Sequence, residues 1–201
     1  RYPLSSLGSI TAGTTVGYDH ASLDGGVDRV SGATFVDATL SLAPFELQPA
    51  VRLDAIGANG EPTVVPSPRL GVRLRPFDDV GLTLRGLVGR AFRYPTFNER
   101  YYEPGGTQGL QPEDGWTTEG GVSFRLARPD ALLTVEATAF ATRLTDKIVW
   151  RPSYVANGVQ VWSPSNVSRV CSRGLELSVR GRQQLRSKLS LSGCSHFTHT
   201  R

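Results

Sequence analysis

Arg93, Tyr94, Arg100, Tyr101 and Tyr102 gather just ahead of a glycine pair, Gly105-Gly106. Phenol rings and guanidinium groups on a glycine-rich segment can clasp a flat or anionic ligand, through stacking and charge-assisted hydrogen bonds. Trp150, Tyr154 and Trp162 offer the same chemistry further along. These side chains bind and orient, and none of them makes or breaks a bond unaided.

Other groups with chemical potential lack the spacing that chemistry needs. Asp19, Asp24 and Asp28 could offer oxygens to a hard cation. The run Asp24-Gly-Gly-Val-Asp28 does not follow an EF-hand loop, and it reads as a solvated acidic turn. Glu113 and Glu119 have no nucleophile or partner that would make them an acid/base pair. His20, His196 and His199 have no metal-ligand spacing, and positions 196 and 199 fall on opposite faces of a strand. No Ser-His-Asp order, P-loop or zinc spacing appears. The expectation is a protein with no catalytic residue, no bound metal and no cofactor.

The charge balance points the same way. The net charge is +4, the pI about 9.4, and 20 of the 22 basic residues are arginine. A nucleic-acid partner calls for a basic run or stripe. Here Arg69, Arg73, Arg75, Arg85, Arg125 and Arg180 are spread singly through extended runs. That spacing suits a polar wall.

The elements that carry these residues are strands. No apolar run reaches the roughly 18 residues of a membrane-spanning helix. Period-two alternation recurs near 10–18, 33–43, 48–56, 68–76, 79–91, 116–126, 131–149, 168–180 and 187–198. Leu133, Val135, Ala137, Ala139 and Ala141 oppose Thr134, Glu136, Thr138 and Thr142, and Leu175, Leu177 and Val179 oppose Glu176, Ser178 and Arg180. A soluble β-sandwich alternates in this way too. The links decide between them. Those at 43–48, 76–79, 127–130 and 181–186 are short, and those near 19–32, 57–67, 92–115 and 151–166 are long. In an up-and-down barrel every second link lies on one rim, and outer-membrane barrels keep their short turns on the periplasmic side. The fold class expected is therefore all-β, a transmembrane up-and-down antiparallel barrel with one greasy and one polar face. Phe92, Tyr94 and Phe97 then also suit an interfacial aromatic girdle that braces the loop. The run 131–149 exceeds the 9–11 or so residues needed to span, and should protrude.

Nine strands cannot leave two open edges in hydrocarbon, so further strands are required. No Met and no signal peptide open the chain, which reads as an internal segment. Cys171 falls in register with Leu175 and Leu177, whereas Cys194 falls with Ser192 and His196. Their opposite faces predict two free thiols.

Five motifs in order over about residues 46–197 resemble the barrel domain of TonB-dependent outer-membrane receptors, closest in character to the cobalamin and siderophore branch. They are Val51-Arg52-Leu53-Asp54; Pro66-Ser67-Pro68-Arg69-Leu70-Gly71; Gly89 to Glu99 (GRAFRYPTFNE), completed by Leu110-Gln111-Pro112-Glu113 and Glu119-Gly120; Ala139 to Val149 with its Asp146-x-Ile148 ending; and Asn166-Val167 through Arg173-Gly174-Leu175-Glu176. The resemblance implies a partial barrel domain over 1–201, about nine strands of about 22, closed around a plug. It places the plug domain and the final strands outside this chain. It further implies localisation in the cell outer membrane and active import of a scarce ligand, such as siderophore-iron or cobalamin, first held at extracellular loops. The partners implied are outer-membrane lipid, the protein's own plug, the TonB energy-coupling complex acting through the plug, and a small-molecule or metal-chelate ligand. Arg85, Glu119, Arg125, Glu136, Glu176 and Arg180 would face the lumen or the plug. Glu119 and Glu176 would be free to pair with Arg125 or Arg180. Arg93, Tyr94, Arg100, Tyr101, Tyr102, Trp150 and Tyr154 would meet the ligand. The alternatives are a passive porin-like barrel and a soluble β-sandwich binding module.

Overall fold

The computed structural model describes residues 2–3, 7–22, 26–58, 61–77, 80–154, 158–186 and 189–201. In chain order its strands are β1 (Tyr2–Pro3), β2 (Gly8–Ala21), β3 (Val27–Leu42), β4 (Phe45–Ala58), β5 (Glu61–Leu74), β6 (Leu82–Arg93), β7 (Glu113–Ala127), β8 (Ala131–Tyr154), β9 (Gln160–Arg186) and β10 (Leu189–Thr200). A short helix, α1 (Phe97–Tyr101), interrupts the series between β6 and β7. All strands pair antiparallel in the unbroken order β1 to β10, one up-and-down sheet. The nine longer strands coincide with the nine runs of alternation.

Register turns the local alternation into two continuous faces. Residues paired across strands share a face. Phe197, Leu177, Ala137, Val122, Leu84, Leu74, Phe45 and Leu42 form one row across eight strands. The adjacent row reads Thr198, Glu176, Thr138, Gly121, Arg85, Arg73, Glu46 and Ser41. One step along the strands exchanges an apolar wall for a polar one.

Nothing among the described residues packs on the apolar face. Val16 is 77% exposed and Leu191 64%, and the buried aliphatic side chains among those described are few: Ala33, Val65, Leu110 and Ile148, with Pro95 and Pro164. A β-sandwich would bury this face against a second sheet. The single layer leaves this face uncovered among the described residues, and its continuous band of Leu, Val and Phe matches the lipid-facing side of an outer-membrane barrel. The open sheet is a partial barrel.

The polar face is knitted by ion pairs. Arg69 reaches Asp37 at 3.0 Å, Arg73 reaches Glu46 at 2.8 Å, and Arg52 reaches Asp54 at 2.8 Å. Arg85 donates to Thr138 Oγ1 at 2.6 Å. Of the two roles open to Glu119 and Glu176, pairing with an arginine such as Arg125 or Arg180 or meeting the plug, the pairing is not seen. Among the described residues these four side chains, and Glu136, make no ion pair.

The link lengths differ from expectation on one rim. Strand pairing continues to Ala21 and Val27, to Ala58 and Glu61, and to Tyr154 and Gln160, so three of the four long links are mostly hairpin. Backbone groups close a ladder whatever side chains they carry, and polar outer ends read as loops only because their alternation fades. β8 has 24 residues and β9 has 27, well beyond the 9–11 or so that span a bilayer. Of the four, only residues 94–112 form a true loop. Cys171 and Cys194 are free, on opposite faces: Cys171 pairs with Arg143 on the apolar side, and Cys194 with Arg180 on the polar side.

Candidate functional site at the outer rim

Residues 94–112 fold back over the polar side of the sheet as a strap. At its start Arg29 of β3, a polar-face residue, inserts beside two rings: its guanidinium carbon lies 4.6 Å from the Phe97 ring centre and 5.9 Å from that of Tyr94. Arg29 also donates to the Pro95 carbonyl at 3.0 Å and pairs with Asp19 at 3.1 Å. Arg100 also approaches Tyr94, its guanidinium carbon 4.9 Å from the ring centre. Tyr94 thus has two cations within about 6 Å of its ring, contacts favoured by the ring quadrupole.

Helix α1 exists because Thr96 and Glu99 form a capping box. Thr96 Oγ1 accepts from the Glu99 amide at 3.2 Å, and Glu99 Oε2 accepts from the Thr96 amide at 2.8 Å. Glu99 is 8% exposed, and a carboxylate so enclosed needs a counter-charge. Arg93 supplies it with a fork, Nη1 to Oε2 at 2.9 Å and Nη2 to Oε1 at 3.0 Å. The remaining Arg93 Nε donates to Glu113 Oε2 at 2.7 Å, and Glu113 Oε1 accepts from the Ile148 amide at 2.8 Å. One network therefore ties the end of β6, α1, the start of β7 and β8 together. Burial pushes the Glu99 carboxyl up, but the Arg93 fork and the Thr96 donors outweigh it and hold it below the usual range. The Arg93 bond holds Glu113 low as well, and the two carboxylates, Glu113 foremost, raise Arg93.

The far end of the strap is sewn to β9. Asn166 Oδ1 accepts from the Gln111 amide at 2.8 Å, while Asn166 Nδ2 donates to the Gln111 carbonyl at 2.9 Å and the Asp146 carbonyl at 2.6 Å. Asp146 adopts a left-handed backbone (φ 54°) which directs that carbonyl. Thr107 donates to the Pro164 carbonyl at 2.8 Å, and Leu110 is 2% exposed. The Gly105-Gly106 pair answers to close approach: a β-carbon on Gly105 would strike the Trp162 carbonyl, and one on Gly106 would lie 2.6 Å from the Tyr102 nitrogen.

The candidate ligand residues separate into two sets. Arg93 and Tyr94 are engaged in the brace, and Trp150 meets Tyr102 edge-on with ring centres 6.0 Å apart. Arg100, Tyr101 and Tyr102 line a concavity of about 470 Å³ between the strap and the β2–β3 turn. Arg100 donates to the Leu110 carbonyl at 3.4 Å, and its Nε is enclosed with no partner. Tyr154 stands at the tip of the β8–β9 hairpin, 72% exposed. Of the residues expected to form a girdle, Phe92 lies on the apolar face, whereas Tyr94 and Phe97 turn inward to Arg29. Asp19 and Asp28 diverge: Asp19 meets Arg29 on the polar face, and Asp28 accepts from Tyr18 at 2.6 Å on the other. Asp24 lies outside the described residues.

Sequence reading missed Arg29 as part of this site. Its partner is 66 residues away, and no local pattern marks an arginine that will lie beneath a distant loop.

Comparison with known proteins agrees with this architecture. The family described as TonB dependent receptor-like, beta-barrel matches residues 2–201. The vitamin B12 transporter BtuB of Vibrio vulnificus is 25% identical over 150 residues, 75% of this chain and 22% of that protein. BtuB of Photobacterium profundum is 30% identical over 91 residues, 45% of this chain and 14% of that protein. The chain thus spans about a fifth or less of the curated relatives it matches. Among solved structures, the siderophore receptor PirA from Pseudomonas aeruginosa superposes with a TM-score of 0.76 at 21% identity, over 98% of this chain and 40% of that one. The Serratia marcescens hemophore receptor HasR, solved with its hemophore HasA and heme, gives 0.67 at 17% identity, over 98% and 40%. With the sheet, its two faces and the family match in agreement, this chain belongs to the TonB-dependent receptor family, as a stretch of its outer-membrane β-barrel.

Proposed function

We propose that this stretch of barrel serves an active importer of a small-molecule or metal-chelate ligand, of the siderophore-iron or cobalamin kind. The observation that carries the reading is the concavity beside the strap, where Arg100, Tyr101 and Tyr102 are held by a braced loop above a polar wall. Tyr101, Tyr102 and Tyr154 offer aromatic faces, and Arg100 offers a charge at the edge of the concavity. Arg93, Tyr94 and Trp150 hold those groups in place. The vitamin B12 transporters and the siderophore and hemophore receptors that the chain resembles support a ligand of this class.

Below the strap, Glu119, Arg125, Glu136, Glu176 and Arg180 line the wall without partners among the described residues, and Arg85 holds only Thr138. In this proposal they face the plug. The TonB complex draws on the plug from the periplasm, and the ligand passes along the wall. The barrel makes no bond.

Uptake by the full-length receptor tests this. Replacing Tyr101 and Tyr102 with Ala should lower ligand affinity about tenfold or more, given about 1–3 kcal/mol for each aromatic side chain that stacks on the ligand. Undiminished import after deletion of 103–108 would contradict the rim's role. The inward lie of the strap also suits a passive, constricted pore. Uptake that persists when TonB is absent would favour that reading.

A further inference from the structure

We propose that the outer face of β8–β10 carries a binding site for the phosphorylated headgroup of a membrane lipid. Pairing carries the apolar row outward through Ala141 on β8 and Leu175 on β9, and one step further the residues become Arg143 and Arg173. Arg143 lies opposite Cys171, Arg169 and Arg173 flank Cys171 along β9, and Arg173 pairs with Arg201. Arg173 and Arg201 are therefore direct cross-strand neighbours, about 5 Å apart, and Arg143 lies diagonal to both Arg169 and Arg173, about 7–8 Å away. All four are exposed, and none makes a side-chain hydrogen bond or ion pair among the described residues.

Like charges at neighbouring cross-strand positions repel. Arg90, nearby on the same outer face, meets Asp114 at 2.8 Å. The outer-face positions of β8, β9 and β10 hold no carboxylate at all among the described residues. Within the described sheet these four arginines have no countercharge of their own. A groove of about 480 Å³ runs between Trp116, Arg143, Cys171, Arg173 and Arg201 and opens to the side that faces lipid. Trp116, directly opposite Arg143 and 49% exposed, marks the interfacial level where headgroups lie.

Continuity with the apolar belt selects the source. A free anion would use the guanidinium forks alone. A lipid uses the forks for its phosphate, two hydrogen bonds at a time, while its chains lie on Ala139, Ala141, Leu175 and Leu177. The cluster is local. On β2–β5 the corresponding outer ends present Tyr18, Val30 and Val64, with Asp28 closed by Tyr18 and His20. Among the described strands the cluster is thus confined to β8–β10.

Trp116 is the reporter. The full-length receptor, reconstituted in phosphatidylcholine vesicles, is given brominated phosphatidic acid or brominated phosphatidylcholine, and the Trp116 signal is isolated by difference from Trp116→Phe. Phosphatidic acid should quench it preferentially, with the preference falling about fivefold for each arginine replaced in R143Q, R173Q and R201Q. Excess inorganic phosphate should leave it unchanged, and high salt should weaken it. Equal quenching by the two lipids, or a preference that survives in the triple variant, would overturn the proposal. Displacement by inorganic phosphate would overturn it too, by showing a general anion site. Should the triple variant fail to fold, the single variants and the salt dependence of the native receptor decide.

Discussion

The strap and the wall beneath it are built from the same residue types and resolve their charges in opposite ways. In the strap, Arg29, Arg93, Glu99 and Glu113 all have partners, most of them at bonding distances of 3 Å or so. On the part of the wall formed by β7–β9, Glu119, Arg125, Glu136, Glu176 and Arg180 have none among the described residues, whereas on β3–β5 the wall carries its own ion pairs. A region whose polar groups satisfy one another is organised by its own sequence. A region of unpaired charges on a lumen wall is solvated, or is completed by something outside this chain. The difference identifies which part of the segment is self-contained and which part waits for a partner.

Removing Arg93 should break the comparison most severely. Arg93→Ala deprives an enclosed carboxylate of its fork and Glu113 of its second anchor, a loss of about 2–4 kcal/mol in the local stability of the strap. Hydrogen exchange on the full-length receptor should show the amides of 96–111 opening. Arg93→Lys should restore only part, because an ammonium cannot reproduce the planar fork. Asn166→Ala should cost about 1–3 kcal/mol through three hydrogen bonds and should release the far end of the strap alone. Opening confined to 106–112 is the expected exchange pattern.

Both anchors of the strap carry residues that stand out in the chain itself. The motifs Arg93-to-Glu99, Leu110-to-Glu113, Asp146-x-Ile148 and Asn166 were legible as a family pattern, but their purpose was not. The structure brings all of them to one place, where they fasten the strap. The two-faced sheet was legible because period-two alternation survives wherever one face meets lipid. The hairpin ends beyond the lipid were not, since both faces there meet water or loops and the alternation lapses. Arg29 was invisible for a third reason: it is a single cation whose contact is decided by tertiary placement.

Acid should sharpen the comparison. Glu99 and Glu113 have folded pKa values below the ordinary 4.5. Depressed carboxylates contribute stability that is fully present above that ordinary value and is lost as pH falls through the lower folded values. The strap should hold at neutral pH and loosen only below about pH 4.5, by the same exchange readout. The wall predicts the smallest change. Glu176→Gln and Arg180→Gln should alter thermal stability of the barrel by no more than about 0.5 kcal/mol, since neither breaks a bond within this chain.

The assignment of the two faces underlies all of this, and spin labels on adjacent residues test it most directly. In the full-length receptor in bilayers, with Cys171 and Cys194 replaced by Ser, single labels placed in turn at Val122, Ser123, Phe124 and Arg125 should alternate. Positions 122 and 124 should collide with lipid-soluble oxygen, and positions 123 and 125 with a water-soluble nickel complex. Equal access of the nickel complex to all four would contradict a lipid-facing side, and with it the barrel wall.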